Sequence, residues 1–306
     1  MKKIFGLLFL IAMFILLVEF TLRIFYGYGK PFLYVEDPDF EYIPAPDQNL
    51  MRVGRQLITN HYCMRSDALA ISDSVRILTF GDSILNGGPQ TDQDDLATSI
   101  LERNLSAELK KKIRVLNISA ASWGVDNAAA YLKKYGDFGA KLIILIFSSH
   151  DLYDNMDFRK VVGVNSGYPD HNPISAIGDC WVRSVLPFLD AHIFNKDSEK
   201  SLLHNYNSQH INSGWNFFFT YSQQHRIPLL VYLHAQKNES QQKHYNEYGT
   251  QLLQLLHANQ INAVEEIKSY PKPDYYRDFI HFNEKGQRFM AAVLKPFIEK
   301  EISATK

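Results

Sequence analysis

Apolar residues run unbroken over positions 4–18 and continue to Leu22, with Glu19 as the only charge. At about 1.5 Å of rise per helical residue, that stretch just spans a hydrocarbon core of about 30 Å. Lys2 and Lys3 precede it, and Phe25, Tyr26 and Tyr28 follow at headgroup depth. The pattern predicts an uncleaved N-terminal membrane anchor over residues 1–30, with a cytoplasmic N-terminus and the remainder exported. A cleaved signal peptide is the alternative, but no small-x-small cleavage site follows the run.

Residues 31–74 are rich in Pro and Asp with short β-type pieces, such as residues 56–59. They read as an irregular lead-in packed on the main domain. From Val75 the pattern alternates. Apolar runs VRILTF, IRVLNISA, KLIILIFSS, IPLLVYLHA and INAVEEI predict five strands. Between them, helical spacings predict helices, one with Leu96, Ile100, Leu101, Leu105 and Leu109 on one side. A closing helix starts after Asn283, its expected N-cap. Continuous apolar strands separated by helices imply α/β class: a three-layer α/β/α sandwich with a parallel sheet, flavodoxin-like, over 75–306. The alternation breaks over 152–213, an insert long enough to be a lid or substrate element, with an amphipathic helix inside it.

Composition narrows the class of function. The 306 residues carry 32 basic and 33 acidic side chains, without a long basic run outside the termini, so no nucleic-acid partner is expected. Two cysteines, Cys63 and Cys180, make no disulfide framework, and two free buried thiols are expected. Eleven histidines without ligand spacing point to no metal, and the chemistry below needs no cofactor.

In a parallel sheet the functional crevice lies beyond the carboxyl ends of the strands. Four places there matter: residues 81–83, 122–124, 148–151 and the loop before the last helix. Gly81-Asp82-Ser83 is not a phosphate loop, since it lacks Gly-Lys-Ser/Thr, and the chain has no Gly-x-Ser-x-Gly elbow. A serine becomes a nucleophile only when a base takes its proton and a third group orients that base. Asp278-x-x-His281, at the same sheet edge, has the composition and spacing for both tasks.

Gly81-Asp82-Ser83 after the first strand, Gly124 after the second and Asp278-x-x-His281 before the last helix together resemble the SGNH/GDSL hydrolase superfamily. The resemblance runs from Val75 to the C-terminus and implies the strand order 2-1-3-4-5. It also implies catalytic roles for Ser83 (nucleophile), His281 (general base) and Asp278 (orienting carboxylate). The backbone N–H groups of Ser83 and Gly124 become oxyanion donors. Where many members have Gly-x-Asn-Asp, this chain reads Ser148-Ser149-His150-Asp151, so His150 stands in the place of the donor asparagine. Either its imidazole N–H donates while Asp151 holds the loop, or His150 is structural and Asn155 supplies the donor. Asp82 and Trp123 are further candidates for support or substrate contact.

The segment around Asn60 and Arg65 is similar to the membrane-anchored subset of that superfamily. The two residues either brace the active-site loops or pack at the surface, the second being the expectation. The resemblance implies a serine esterase or O-acyltransferase acting on acyl, often acetyl, groups of cell-surface polysaccharide. A lipid or phospholipid esterase and a non-catalytic carbohydrate-binding protein of the same fold are the alternatives.

Overall fold

The computed structural model describes residues 2–192 and 210–304. The apolar run forms one helix, α1 (Lys2–Tyr26), none of whose residues is buried. The lead-in is more regular than its composition suggests. It makes two antiparallel hairpins, β1 (Tyr34–Asp37) with β2 (Glu41–Pro44), and β3 (Asn49–Arg52) with β4 (Arg55–Ile58). Val53 and Gly54 turn the second with positive φ at both positions, the mirror-image geometry that suits a two-residue hairpin loop.

The five expected strands are β5 (Val75–Gly81), β6 (Ile113–Ser119), β7 (Leu142–Ser148), β8 (Leu229–His234) and β9 (Asn262–Glu265). They form one parallel sheet in the order β6-β5-β7-β8-β9, the expected 2-1-3-4-5. Side chains alternate between two cores. Leu78 and Phe80 of β5, with Ile143, Leu145 and Phe147 of β7, enter one; Val75 and Ile77, with Leu142, Ile144 and Ile146, enter the other.

The first core is covered by α4 (Val125–Tyr135), α7 (Ser213–His225) and α9 (Glu247–Ala258). Phe40, Tyr42, Ile43, Leu57 and Met64 of the lead-in bury themselves in the same core. The second lies under α3 (Ala97–Leu109) and α10 (Glu284–Ala304). Asn283 caps α10 as expected, its Oδ1 accepting from the N–H groups of Lys285 and Gly286 at 2.9 and 3.2 Å. A short α2 (Ser83–Asn86) follows β5, and α8 (Lys237–Gln242) follows β8.

The insert contributes α5 (Ala176–Cys180), a π-helical turn over Trp181–Val185 and α6 (Leu186–His192). The rest of the expected insert, residues 193–209, lies outside the described residues. Cys63 and Cys180 are both free, Cys63 buried and Cys180 half-buried.

Candidate active site

Strand β5 delivers Ser83 to the sheet edge through a tight passage. A Cβ on Gly81 would stand 2.6 Å from the Ile146 carbonyl oxygen and 2.8 Å from Leu85 Cβ, so no larger residue fits there. Asp82 then caps α2, its Oδ1 accepting from Ile84 N–H at 2.8 Å. Ser83 is the first residue of α2, so its N–H is one of those that helix geometry leaves without an internal partner. Gly87 ends the helix at φ 70°.

Three buried side chains fix α2. Asn117 donates to Leu85 O at 3.0 Å and Asn86 to Ser119 O at 3.0 Å. Gln287, from the helix after His281, donates to Ile84 O at 2.9 Å and so ties the two halves of the site.

His281 Nε2 lies 2.8 Å from Ser83 Oγ, and its Nδ1 lies 2.7 Å from Asp278 Oδ2. Asp278 Oδ1 accepts from the backbone N–H groups of His281 and Ile280 at 2.7 and 3.0 Å. Burial pushes the Asp278 carboxyl up, but the His281 hydrogen bond, its charge and these two N–H groups win and hold it at about 2. An ionised carboxylate on Nδ1–H leaves Nε2 as the acceptor facing the serine hydroxyl.

The remaining candidates are arranged as follows. His150 Nδ1 is 2.8 Å from Ser148 Oγ, whose hydroxyl donates to Asp151 Oδ2 at 3.1 Å. That hydroxyl can instead donate to His150 Nδ1, the tautomer that leaves Nε2–H as the ring's donor. His150 is 3.7 Å from Asp151 Oδ1 through Nε2. Asp151 Oδ2 also accepts from Ser148 N–H at 2.7 Å, which fixes the loop, while its Oδ1 is buried with no hydrogen-bond partner.

Ligand-type atoms of Asp82, His150 and Asp151 lie within 4.8 Å of one another, the one such group among the described residues. Burial raises the Asp82 carboxyl against the opposing pull of His150. Burial, then the Asp82 charge, raises Asp151 well above the usual range. Protonation therefore competes with any cation at these two carboxyls.

Gly124 N–H donates to Asn127 Oδ1 at 2.8 Å, and a Cβ on Gly124 would meet the Asp154 carbonyl. A cavity of about 170 Å³ adjoins it, lined by polar groups of Ser122, Asn127, Asp154, Asn155, Arg159 and Tyr168. Asn155 is occupied within this loop, donating to Tyr153 O and His210 O at 2.9 and 3.1 Å. Of the two roles expected for Trp123, burial leaves support. The residue is wholly buried, its indole N–H donating to Tyr42 O at 2.7 Å, so it has no face for a substrate and supports the loop from inside.

Asn60 and Arg65 correct an expectation: both are buried, not surface residues. Asn60 Oδ1 accepts from Tyr62 and Met64 N–H, shaping the turn before Arg65. Arg65 donates to Gly88 O and Thr91 O, both at 2.6 Å, and also to Asn86 O, gripping the loop that leaves α2. Burial lowers its guanidinium to about 10, so it stays charged at neutral pH.

Motif reading missed one element entirely, a buried pair behind His281. His234, the last residue of β8, faces Glu266 Oε2 with Nδ1 at 2.6 Å and Ile280 O with Nε2 at 2.7 Å. Both partners are acceptors, so the ring carries both protons and is an imidazolium. Burial alone would lower its pKa, but the Glu266 charge and hydrogen bond raise it. Tyr232 and Tyr276 also donate to Glu266, at 2.7 and 3.2 Å. The one sequence signal was a histidine ending a buried parallel strand.

No protein-family model and no curated protein matches this sequence. Solved structures do. A lipase/acylhydrolase from Enterococcus faecalis is 13% identical over 74% of this chain and 96% of its own, with a TM-score of 0.43. The TesA structure is 13% identical over 74% and 99%, with a TM-score of 0.46. A two-domain esterase active on acetylated mannans is 12% identical over 74% of this chain and 49% of its own, with a TM-score of 0.47. At these identities the likeness is one of fold.

Proposed function

We propose that the protein is a serine ester hydrolase or acyl transferase, held to a membrane by α1 and working on acyl, chiefly acetyl, groups of cell-surface polysaccharide. The observation that carries this reading is the unbroken hydrogen-bonded line from Ser83 Oγ through His281 to Asp278. Residues 75–306 form the catalytic unit, with 31–74 as its lead-in.

Ser83 Oγ attacks the ester carbonyl while His281 Nε2 takes its proton, and Asp278 stabilises the imidazolium. Collapse of the tetrahedral intermediate breaks the ester C–O bond, and His281 returns the proton to the departing alcohol. Water or a sugar hydroxyl then attacks the acyl-enzyme by the same route. Ser83 N–H and the His150 ring serve the oxyanion, and Gly124 N–H joins them when it leaves Asn127. The cavity beside Gly124 offers polar groups of Asn127, Asn155 and Arg159 to a hydroxyl-bearing substrate.

A second reading, a carbohydrate-binding protein without turnover, is favoured by one observation: the Gly124 N–H is already engaged. Intact mass after treatment with a small fluorophosphonate separates the two. One adduct on the full-length protein, absent from Ser83→Ala and His281→Ala, is the expected result. An unmodified wild type at high probe and long times would favour the second reading.

A further inference from the structure

The expected lid helix is fixed to α1. Glu19, the charge inside the apolar run, accepts from the backbone N–H groups of Ala176 and Ile177 at 2.7 and 3.0 Å and from Ser175 Oγ at 3.0 Å. Arg23 pairs with Glu19 at 2.7 Å and donates to Ile174 O. Deeper in the protein, Asp179 accepts from Arg52 Nη1 and Gly29 N–H, both at 2.8 Å, and from Arg183 Nε at 2.8 Å. Tyr28 and Ser184 hydroxyls meet at 2.6 Å. The polar side chains of this segment are thus spent on the junction between α1 and the domain.

Its apolar side chains face away. Ile174 is 98% exposed, Phe188 58% and Trp181 51%, with Val182 and Leu186 also exposed. Phe20, Ile24 and Phe25 of α1 are exposed too, so exposed apolar side chains stand on both elements of the α1–α5 contact. Glu19 lies seven residues before Tyr26, about 10 Å along the helix axis. The contacts at Glu19 therefore set residues 174–177 below the level at which α1 leaves the apolar layer. Val53 N–H donates to Tyr26 O at 2.8 Å, bringing the exposed Met51 and Val53 of the β3–β4 turn to that same level.

We propose that the segment 174–188 lies in the interfacial layer of the bilayer that α1 spans, its apolar side chains among the lipids. This rests on reading α1 as a membrane span. A lipid surface is the occupant because the patch adjoins α1, and because α1 with its capped Glu19 fixes the patch at interfacial depth. Trp181 then sits where amphipathic rings concentrate.

The three tryptophans make a direct test, since Trp123 and Trp215 are wholly buried and α1 has none. Full-length protein and Trp181→Phe are reconstituted into phosphatidylcholine–phosphatidylglycerol vesicles brominated at a shallow acyl position. Flotation after a carbonate wash reports on α1 alone. Both proteins should float, and bromine should quench a component of the wild-type emission that Trp181→Phe lacks. Flotation with equal quenching in both proteins would overturn the inference and leave the anchor standing. Failure to float would overturn both readings.

Discussion

The carboxyl groups of Asp82, Asp151 and Asp154 crowd the ends of β5 and β7, and their protonation is the most direct consequence of the site's electrostatics. Burial first, then the Asp151 charge, lifts Asp154 to about 7. An unfolded aspartate loses its proton near about 3.9, so between these values the native state holds more protons. Stability contributed by this group falls as pH rises from about 4 to about 7, and levels off above. Asp154→Asn should flatten that slope, read as urea midpoints at pH 5 and pH 8; equal slopes in both proteins would refute it.

His150 makes a sharper kinetic test. His150→Asn should keep turnover, while His150→Ala should lose about 10²- to 10³-fold in kcat, the usual cost of one oxyanion donor. An alanine variant as active as wild type would remove His150 from the chemistry. Behind His281, Glu266→Gln leaves His234 a buried charge without its counter-ion. A loss of about 3–5 kcal/mol is expected in chemical denaturation. His234 also holds the Ile280 carbonyl one residue before His281, so fluorophosphonate labelling should slow with it.

Among the elements, helix contact sets the tolerance to change. A Cβ on Gly214, at the start of α7, would meet the backbone of Val125 and Asp126 at the start of α4. Backbone cannot give way as a side chain can, so Gly214→Ala should destabilise by about 1–3 kcal/mol, measured as a fall in the denaturant midpoint. The five sheet strands and the α10 cap were legible because continuous β-branched runs and an Asn before a periodic stretch are local signals. In the lead-in only the β-type piece at 56–59, which overlaps β4, was legible; the hairpin pairing was not, because the strands are four residues each and mix polar and apolar positions without alternation. Ser83, Asp278 and His281 were legible as spacing, whereas the positions of Arg65, His234 and Glu266 depend on contacts between distant parts of the chain. The choice between support and substrate contact for Trp123 was not legible, because adjacency to Gly124 says nothing about which way a side chain points.

At the scale of the whole molecule, the lead-in belongs to the body of the protein. Removing residues 1–74 would strip Phe40, Tyr42, Ile43, Leu57 and Met64 from the first core and Arg65 from the loop after α2. A fragment 75–306 should therefore aggregate or lose cooperative unfolding, while a fragment 30–306 stays monodisperse by size-exclusion and circular dichroism. Burial raises the Cys63 thiol to about 12, so alkylation of that residue should require denaturation, and reductant should leave the midpoint unchanged.

The Glu19 cap has a further consequence for how the chain is made. The helix end that satisfies Glu19 begins 157 residues later in the sequence. On the proposed reading of α1 as a membrane span, a ribosome adding residues from the N-terminus presents α1 to the membrane long before residue 176 exists. During that interval Arg23, one turn away, is the counter-charge that Glu19 has within its own helix. The pair leaves the apolar run without an unpaired charge as it enters, and the insert reaches Glu19 only when synthesis is well past Ser83.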